Sequence, residues 1–189
     1  MDWDRLRHDD DAIQNDLSDG NYRRALEALV QVYQHAVVGF CHNMLGDTAQ
    51  AEEVAQDVFL DAYKAMPRFR QQSSVRTWLF AIARKKCLQT LRNRERRRRI
   101  TRDRQVHIAE QVHRDPPTLP GDAAEVVTQR VREGLSQLSH EERSFLTMRY
   151  DTDLSVADIA RLLGLSMATV RRRLARALTR LREVIDGEA

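Results

Sequence analysis

Apolar residues return along this chain at steps of three and four. From Arg23 to Leu45 the residues Leu26, Val30, Tyr33, Val37, Phe40, Cys41 and Met44 follow the helical period, and Gly46-Asp47 closes that helix. Ala51, Val54, Ala55, Val58, Ala62 and Met66 predict a second helix from about Thr48 to Met66, with Glu52, Glu53, Asp57 and Asp61 off its apolar face. Pro67 ends it. After a short loop, Ser73 or Ser74 caps a third helix that turns Val75, Trp78, Leu79, Ile82, Ala83, Cys87 and Leu91 inward before running into a string of arginines. Periodicity fades from Ile100 to Asp122, where Pro116-Pro117 and Pro120-Gly121 mark a linker. It resumes with Val127, Val131, Leu135 and Leu138, and Ser139 with Glu142 spells a capping box opening a helix whose apolar side is Phe145, Leu146 and Tyr150. Ser155 with Asp158 repeats the signature ahead of Ile159, Leu162 and Leu163; Gly164 makes a turn, and Ser166 caps a last helix.

No useful strand alternation and no internal repeat interrupt this pattern. The reading is an all-α chain of two small helical domains joined by a flexible linker, the C-terminal one a helix-turn-helix. The predicted boundaries are an acidic lead-in over 1–21, a first domain over 22–99, a linker over 100–122 and a second domain over 123–189. The lead-in reads as either a disordered tail or a short helix.

Composition narrows the class. With 189 residues, 42% hydrophobic, 31% charged and a mean hydropathy of -0.58, the chain fits neither membrane-spanning nor low-complexity types. The longest uncharged stretch, Ala28 to Gly46, carries Gln31, Gln34, His35, His42 and Asn43, so it reads as an amphipathic helix. The acidic start lacks the basic and apolar regions of an export signal, and two cysteines suit a reducing compartment, so the expected location is cytoplasmic. Cys41 and Cys87 sit on predicted apolar faces, no C-x-x-C is present, and His107 and His113 fall in the linker. No metal or cofactor is therefore expected. No nucleophile elbow, P-loop or zinc-protease helix supports an enzyme.

Charge changes the picture more. The net charge of +3 hides four blocks: net -8 over 1–66, +12 over 67–104, -4 over 105–154 and +3 over 155–189. Such alternation offers the basic blocks to a polyanion and the acidic ones to a basic protein. Arginine supplies 28 of the 31 basic residues, which suits phosphates and guanine edges. The Arg96 to Arg99 run reads as either nonspecific phosphate attraction or a solvated helix end.

Between Ser155 and Leu174 the sequence has what a helix-turn-helix needs. Ala160 is small where two helices cross, Gly164 accepts the positive φ of the turn, and Ile159, Leu163, Leu165, Val170 and Leu174 form a shared core. With Val170, Leu174, Leu178 and Leu181 inward, Arg172 and Arg176 point outward and Arg171 and Arg173 flank them. The start of that helix, near Ser166 to Ala168, suits a phosphate.

Over residues 22 to 186 the chain resembles the extracytoplasmic-function branch of the sigma-70 family. The stretches Ala51 to Arg70 and Arg76 to Arg84 are similar to the family's second conserved region, and Leu135 through Leu181 to its fourth. The resemblance implies a promoter-specificity subunit that binds core RNA polymerase, recognises -35 and -10 elements, helps melt the -10 region and serves a stress- or signal-responsive regulon. It implies polymerase contacts at Glu52, Glu53, Gln56, Asp57 and Asp61. The loop after Pro67 corresponds to one that captures a flipped base of the melted non-template strand, with Phe69 as candidate stacker and Arg68, Arg70, Gln71, Gln72 and Ser73 in or beside the pocket. Arg76, Arg84, Lys85, Arg92 and Arg94 would hold the DNA backbone. Trp78 reads as core rather than stacker, and Phe69 has the alternative of packing on its own domain. On double-stranded -35 DNA the implied contacts are Arg171, Arg172, Ala175 and Arg176, with Ser166, Thr169 and Arg173 beside them. Many relatives carry Ser where Arg172 stands.

The 23-residue linker reaches roughly 75 Å at the maximal rise, enough to bridge elements about two helical turns of DNA apart. An anti-sigma partner is an expectation by resemblance alone. The residues themselves leave a second reading open, a helix-turn-helix regulator with an N-terminal dimerisation or sensing domain. The two differ on the acidic helix around Asp57, which the first needs exposed and the second would fold into a dimer.

Overall fold

A computed structural model describes residues 5–103 and 123–187, with side chains described over 10–100 and 130–187. Among these residues it is helical, with no strand. Four helices make the first half: α1 (Arg5–Ser18), α2 (Tyr22–Leu45), α3 (Thr48–Ala65) and α4 (Val75–Asp103). α2 is the axis, burying Ala25, Leu29, Tyr33, Val37, Phe40, Cys41 and Met44. Gly46 stops it in the left-handed conformation, and the Asp47 carboxylate then accepts from the Gln50 N–H at 2.9 Å to start α3. α3 buries Ala51, Val54, Ala55, Val58 and Ala62, as its spacing predicts, and passes through a 3-10 turn at Met66–Arg68.

Ser74, rather than Ser73, caps α4: its hydroxyl accepts from the Thr77 N–H at 3.1 Å. Val75, Leu79, Ala83, Cys87 and Leu91 are buried, whereas Trp78 and Ile82 are only partly so. The largest buried side chain of α4 is Phe80, outside the expected inward row. Its ring meets Tyr33 edge-on at 6.3 Å and Phe40 at 5.5 Å, and this aromatic cluster fixes α4 across α2. Cys41 and Cys87 touch between the same helices with sulfurs 3.6 Å apart. The contact with Cys41, together with burial, pushes the Cys87 thiol far above its ordinary value. α4 continues to Asp103, beyond the arginine run and into the stretch read as linker. Pro116-Pro117, His107 and His113 lie outside the described residues.

Arg5–Ser18 of the lead-in form helix α1. Ile13 and Leu17, one turn apart, are 0% and 7% exposed, and they seat α1 against α2 and α4.

The second half comprises α5 (Ala123–Gln137), α6 (His140–Leu146), a π turn over Thr147–Asp151, α7 (Val156–Leu163) and α8 (Met167–Asp186). Gly134 lets α5 cross α8 closely, since a β-carbon there would stand 2.8 Å from the Leu181 side chain. The predicted capping box forms: Glu142 N–H donates to the Ser139 hydroxyl, and Ser139 N–H donates to the Glu142 carboxylate at 3.2 Å. The Ser139 hydroxyl and N–H, helped by the charge of Arg176, hold the Glu142 carboxyl below its ordinary value of 4.5. A depressed acid stabilises the fold above its unfolded value and loses that contribution as pH falls through the folded one. Glu142→Gln, which keeps an acceptor for Ser139 but loses the charge at the helix start, is therefore expected to lower stability at neutral pH by about 0.3–1 kcal/mol. Melting temperatures followed against pH should show the wild-type advantage vanish in acid.

Tyr150 corrects the expected apolar side of α6. Phe145, Leu146 and Met148 are buried, but Tyr150 is 58% exposed. The cause is the π turn, whose wider winding shifts the phase of the residues after Leu146 and puts Met148 and Leu154 in the core. Downstream the turn is as predicted. Ser155 caps α7, accepting from the Asp158 N–H at 3.0 Å, and Gly164 ends it at φ 63° with Leu165 N–H bonded back to the Ala160 carbonyl. Ser166 caps α8, accepting from the Thr169 N–H at 3.2 Å.

The two halves pack together, α2 against α6 and the π turn, and α4 against α7. Arg143, only 6% exposed, joins them. Its guanidinium donates to the carbonyls of Leu135 (2.7 Å), Ser136 (2.7 Å) and Leu138 (3.4 Å) at the end of α5, and to Met44 (3.0 Å) at the end of α2. One cation thus serves carbonyls at two helix C-termini, where positive charge is favoured. Arg84 Nε to Ser144 Oγ (2.7 Å) and Asn43 Nδ2 to Asp151 (2.6 Å) complete the seam.

Candidate nucleic-acid and polymerase interface

Three surfaces follow from these elements. The first is the loop between the 3-10 turn and α4. Pro67 sits inside the turn, and the Phe69 N–H closes it on the Met66 carbonyl at 3.0 Å. Phe69 then lies against Trp78 with ring centroids 5.0 Å apart, so the two aromatics form one half-buried wall. Arg68, Arg70, Gln71 and Gln72 are exposed on the loop and Ser73 is half-buried. Gln71 takes a left-handed conformation, φ 54°, uncommon for a residue with a side chain.

The five residues expected to hold the DNA backbone divide. Lys85 and Arg92 are exposed. Arg76, half-buried, lies beside the Asp10 carboxylate. Arg84 is engaged with Ser144, and burial lowers its affinity for a proton. Arg94 reaches the Leu45 carbonyl at 3.4 Å and Asp47 at 3.7 Å. A cleft lined by Asp10, Ser74 and Arg76 on one side and Arg149, Asp153 and Ser155 on the other sets the end of this surface against α7.

The second surface is the outer face of α3. Glu52, Glu53, Gln56 and Asp57 are exposed and Asp61 is half-buried. Lys86 of α4 stands 3.0 Å from Asp61 and 3.4 Å from Asp57, and the hydrogen bond to Asp61 raises its pKa. Sequence reasoning missed two members of this face, Leu60 at 56% and Tyr63 at 44% exposure. Their signal was present: both fall outside the inward row of α3. Two large side chains thus stand among the acids on this face.

The third surface is α8. Val170, Leu174 and Ala177 anchor it, leaving Arg171, Arg172, Ala175 and Arg176 exposed along one side, with Ser166 exposed and Thr169 half-buried at its start. Arg173 is turned to its own domain, paired with Glu141 and lying 5.6 Å over the Phe145 ring. Arg176 stands 3.9 Å from the Glu142 carboxylate.

Both halves of the chain match known proteins. Residues 29–97 match the model of Sigma-70 region 2 and residues 134–183 that of Sigma-70 region 4. The RNA polymerase sigma-H factor of Pseudomonas aeruginosa is 31% identical over 177 residues, covering 87% of this chain and 86% of that one. The ECF RNA polymerase sigma factor SigC of Mycobacterium tuberculosis is 35% identical over 154 residues, covering 82% and 80%. Among solved structures, the sigma factor RpoE from Bartonella quintana, crystallised with the anti-sigma factor NepR, shares the fold. Its TM-score is 0.68 at 22% identity, covering 85% of this chain and 96% of that one. The chain belongs to the extracytoplasmic-function sigma factors of the sigma-70 family, and its role is that of a promoter-specificity factor in transcription initiation. Among the described residues, no helix is long and apolar enough to cross a membrane.

Proposed function

We propose that residues 22–99 dock on core RNA polymerase and read the -10 element, while residues 123–189 read the -35 element, in the cytoplasm and without a catalytic site of their own. The observation that carries this reading is the presence, on one chain, of three exposed surfaces of matched chemistry. Glu52, Glu53, Gln56, Asp57 and Asp61, joined by Leu60 and Tyr63, form the polymerase face. Arg68, Phe69, Arg70, Gln71, Gln72 and Ser73 form the -10 pocket, with Arg76, Lys85 and Arg92 tracking phosphates. Arg84 and Arg94 join them once released from Ser144 and Asp47. Arg171, Arg172, Ala175 and Arg176 enter the major groove at -35, with Ser166 and Thr169 at the phosphate end and Arg173 bracing the helix from behind. An anti-sigma protein bound to these surfaces would silence them, as the crystallised pairing of RpoE with NepR suggests by analogy. The alternative of a regulator with its own sensing domain has no support from the relatives.

Run-off transcription with core polymerase on a random promoter library tests the assignment. Discrete starts that share two spaced motifs are expected only when the chain is added. Charge reversal at Asp57 should weaken core binding by about tenfold, an effect of about 1.4 kcal/mol, and more at low salt. Starts lacking a second motif, or core binding indifferent to Asp57, would overturn it.

A further inference from the structure

One face of α1 carries Asp10, Gln14 and Ser18 at steps of four, so the three side chains stand in a row along the helix. Ile13 and Leu17, buried beside them, fix the rotation of the helix and aim that row at the loop between Phe69 and Ser74. All three members of the row are used. Gln14 Nε2 donates to Gln71 Oε1 at 3.1 Å, Gln71 Nε2 donates to the Ser18 hydroxyl at 2.5 Å, and that hydroxyl donates to the main-chain carbonyl of Gln14 at 2.7 Å. The three residues are linked in a ring that closes through the Gln14 backbone, and the polarity is consistent at each step. Asp10 holds the end of the loop. Its carboxylate accepts from the Tyr33 hydroxyl at 2.5 Å and from the Arg76 N–H in the first turn of α4, where negative charge complements the helix dipole.

The ring engages both the oxygen and the nitrogen of the Gln71 amide, at the one residue of the loop with positive φ. A side chain so engaged fixes the backbone around it and leaves base reading to its neighbours Arg68, Arg70 and Gln72. We propose that α1 is a splint for the -10 reader: Gln14 and Ser18 hold Gln71 as a positioning residue, so the loop is preformed before DNA arrives. This inference rests on the assignment of the loop to the -10 element and gives the N-terminal helix, outside both matched family regions, a part in promoter choice.

The test uses holoenzyme assembled from the full chain and core polymerase. Initiation is compared on promoters differing by one base in the -10 element, and separately by one base in the -35 element, with permanganate reactivity of -10 thymines as a second readout. Gln14→Ala, Ser18→Ala and Gln71→Ala are each expected to cut discrimination at -10 by about fivefold, the scale of one net hydrogen bond. Discrimination at -35 and affinity for core should not move. Gln71→Gly, which relieves the backbone but deletes the amide, should lose as much as Gln71→Ala, and Ser18→Thr, which keeps the hydroxyl, should retain wild-type discrimination. Because the Gln14 side chain acts through Gln71, Gln14→Ala with Gln71→Ala should be no worse than Gln71→Ala alone.

Unchanged -10 discrimination in the single variants, additive losses in the double variant, or equal losses at both elements would overturn the splint. Melting temperatures verify folding, and alanine at the two helical positions favours the helix. If wild-type holoenzyme starts no transcripts at all, the sigma assignment itself fails, an outcome distinct from variants that behave like wild type.

Discussion

Arg143→Met is expected to lower the unfolding free energy of the full chain by about 3 kcal/mol, because hydrogen bonds from a charged donor contribute roughly 1.5–3 kcal/mol each and some freed carbonyls regain water. For a chain of this size that corresponds to a fall of about 6–12 °C in melting temperature. The carbonyls concerned belong to Leu135, Ser136, Leu138 and Met44, and methionine offers none of them a donor. Arg143→Lys separates charge from geometry: it retains a cation but cannot span four acceptors, so it should lose most of the same stability. Urea unfolding of both variants checks the pair. A lysine variant as stable as wild type would mean that charge at the helix ends, not the planar fork, holds this junction.

Replacing Arg171 and Arg172 together by alanine should weaken binding to a matched -35 element by about 2–6 kcal/mol, since a good bidentate contact to a base discriminates by roughly 1–3 kcal/mol. Both side chains are exposed, and Val170 and Leu174 beneath them are untouched, so the helix itself survives. Holoenzyme titrations at several salt concentrations distinguish two modes. If the arginines read bases, the loss is large on the matched promoter and small on one with a scrambled -35 element. If they meet phosphates, the loss is uniform across sequences and the salt slope falls by about one per arginine.

Much of this architecture is legible in the sequence because it rests on local rules. Asp47, Ser139, Ser155 and Ser166 all cap helices, and Gly46 and Gly164 end them with positive φ. The outward arginine face of α8 is legible for the same reason, since the inward apolar positions fix where the arginines point. Three features were not, or were so only in part. α1 was open between a tail and a short helix, since among its described side chains the buried apolar ones are Ile13 and Leu17, too short a pattern to decide. Tyr150 follows a π turn, and a fixed step of 100° per residue cannot anticipate a change of winding. The seam depends on guanidinium to carbonyl and hydroxyl bonds, from Arg143 and Arg84, which leave no periodic trace. Arg143 does share a three- and four-residue spacing with the buried Leu146 and Thr147, the one hint that this arginine faces inward.

Residues 44 and 143, ninety-nine positions apart, are hydrogen-bonded, and so are 43 and 151. With that seam, the spacing between the two halves is a matter of equilibrium rather than of linker length alone. A partner that engages the halves only when they are apart sees the open fraction of the molecules, and its apparent dissociation constant is the intrinsic one divided by that fraction. With about one molecule in a hundred open, the apparent affinity drops about a hundredfold. For such a partner, Asn43 and Ser144, which bond across the seam, would set the apparent affinity without touching it.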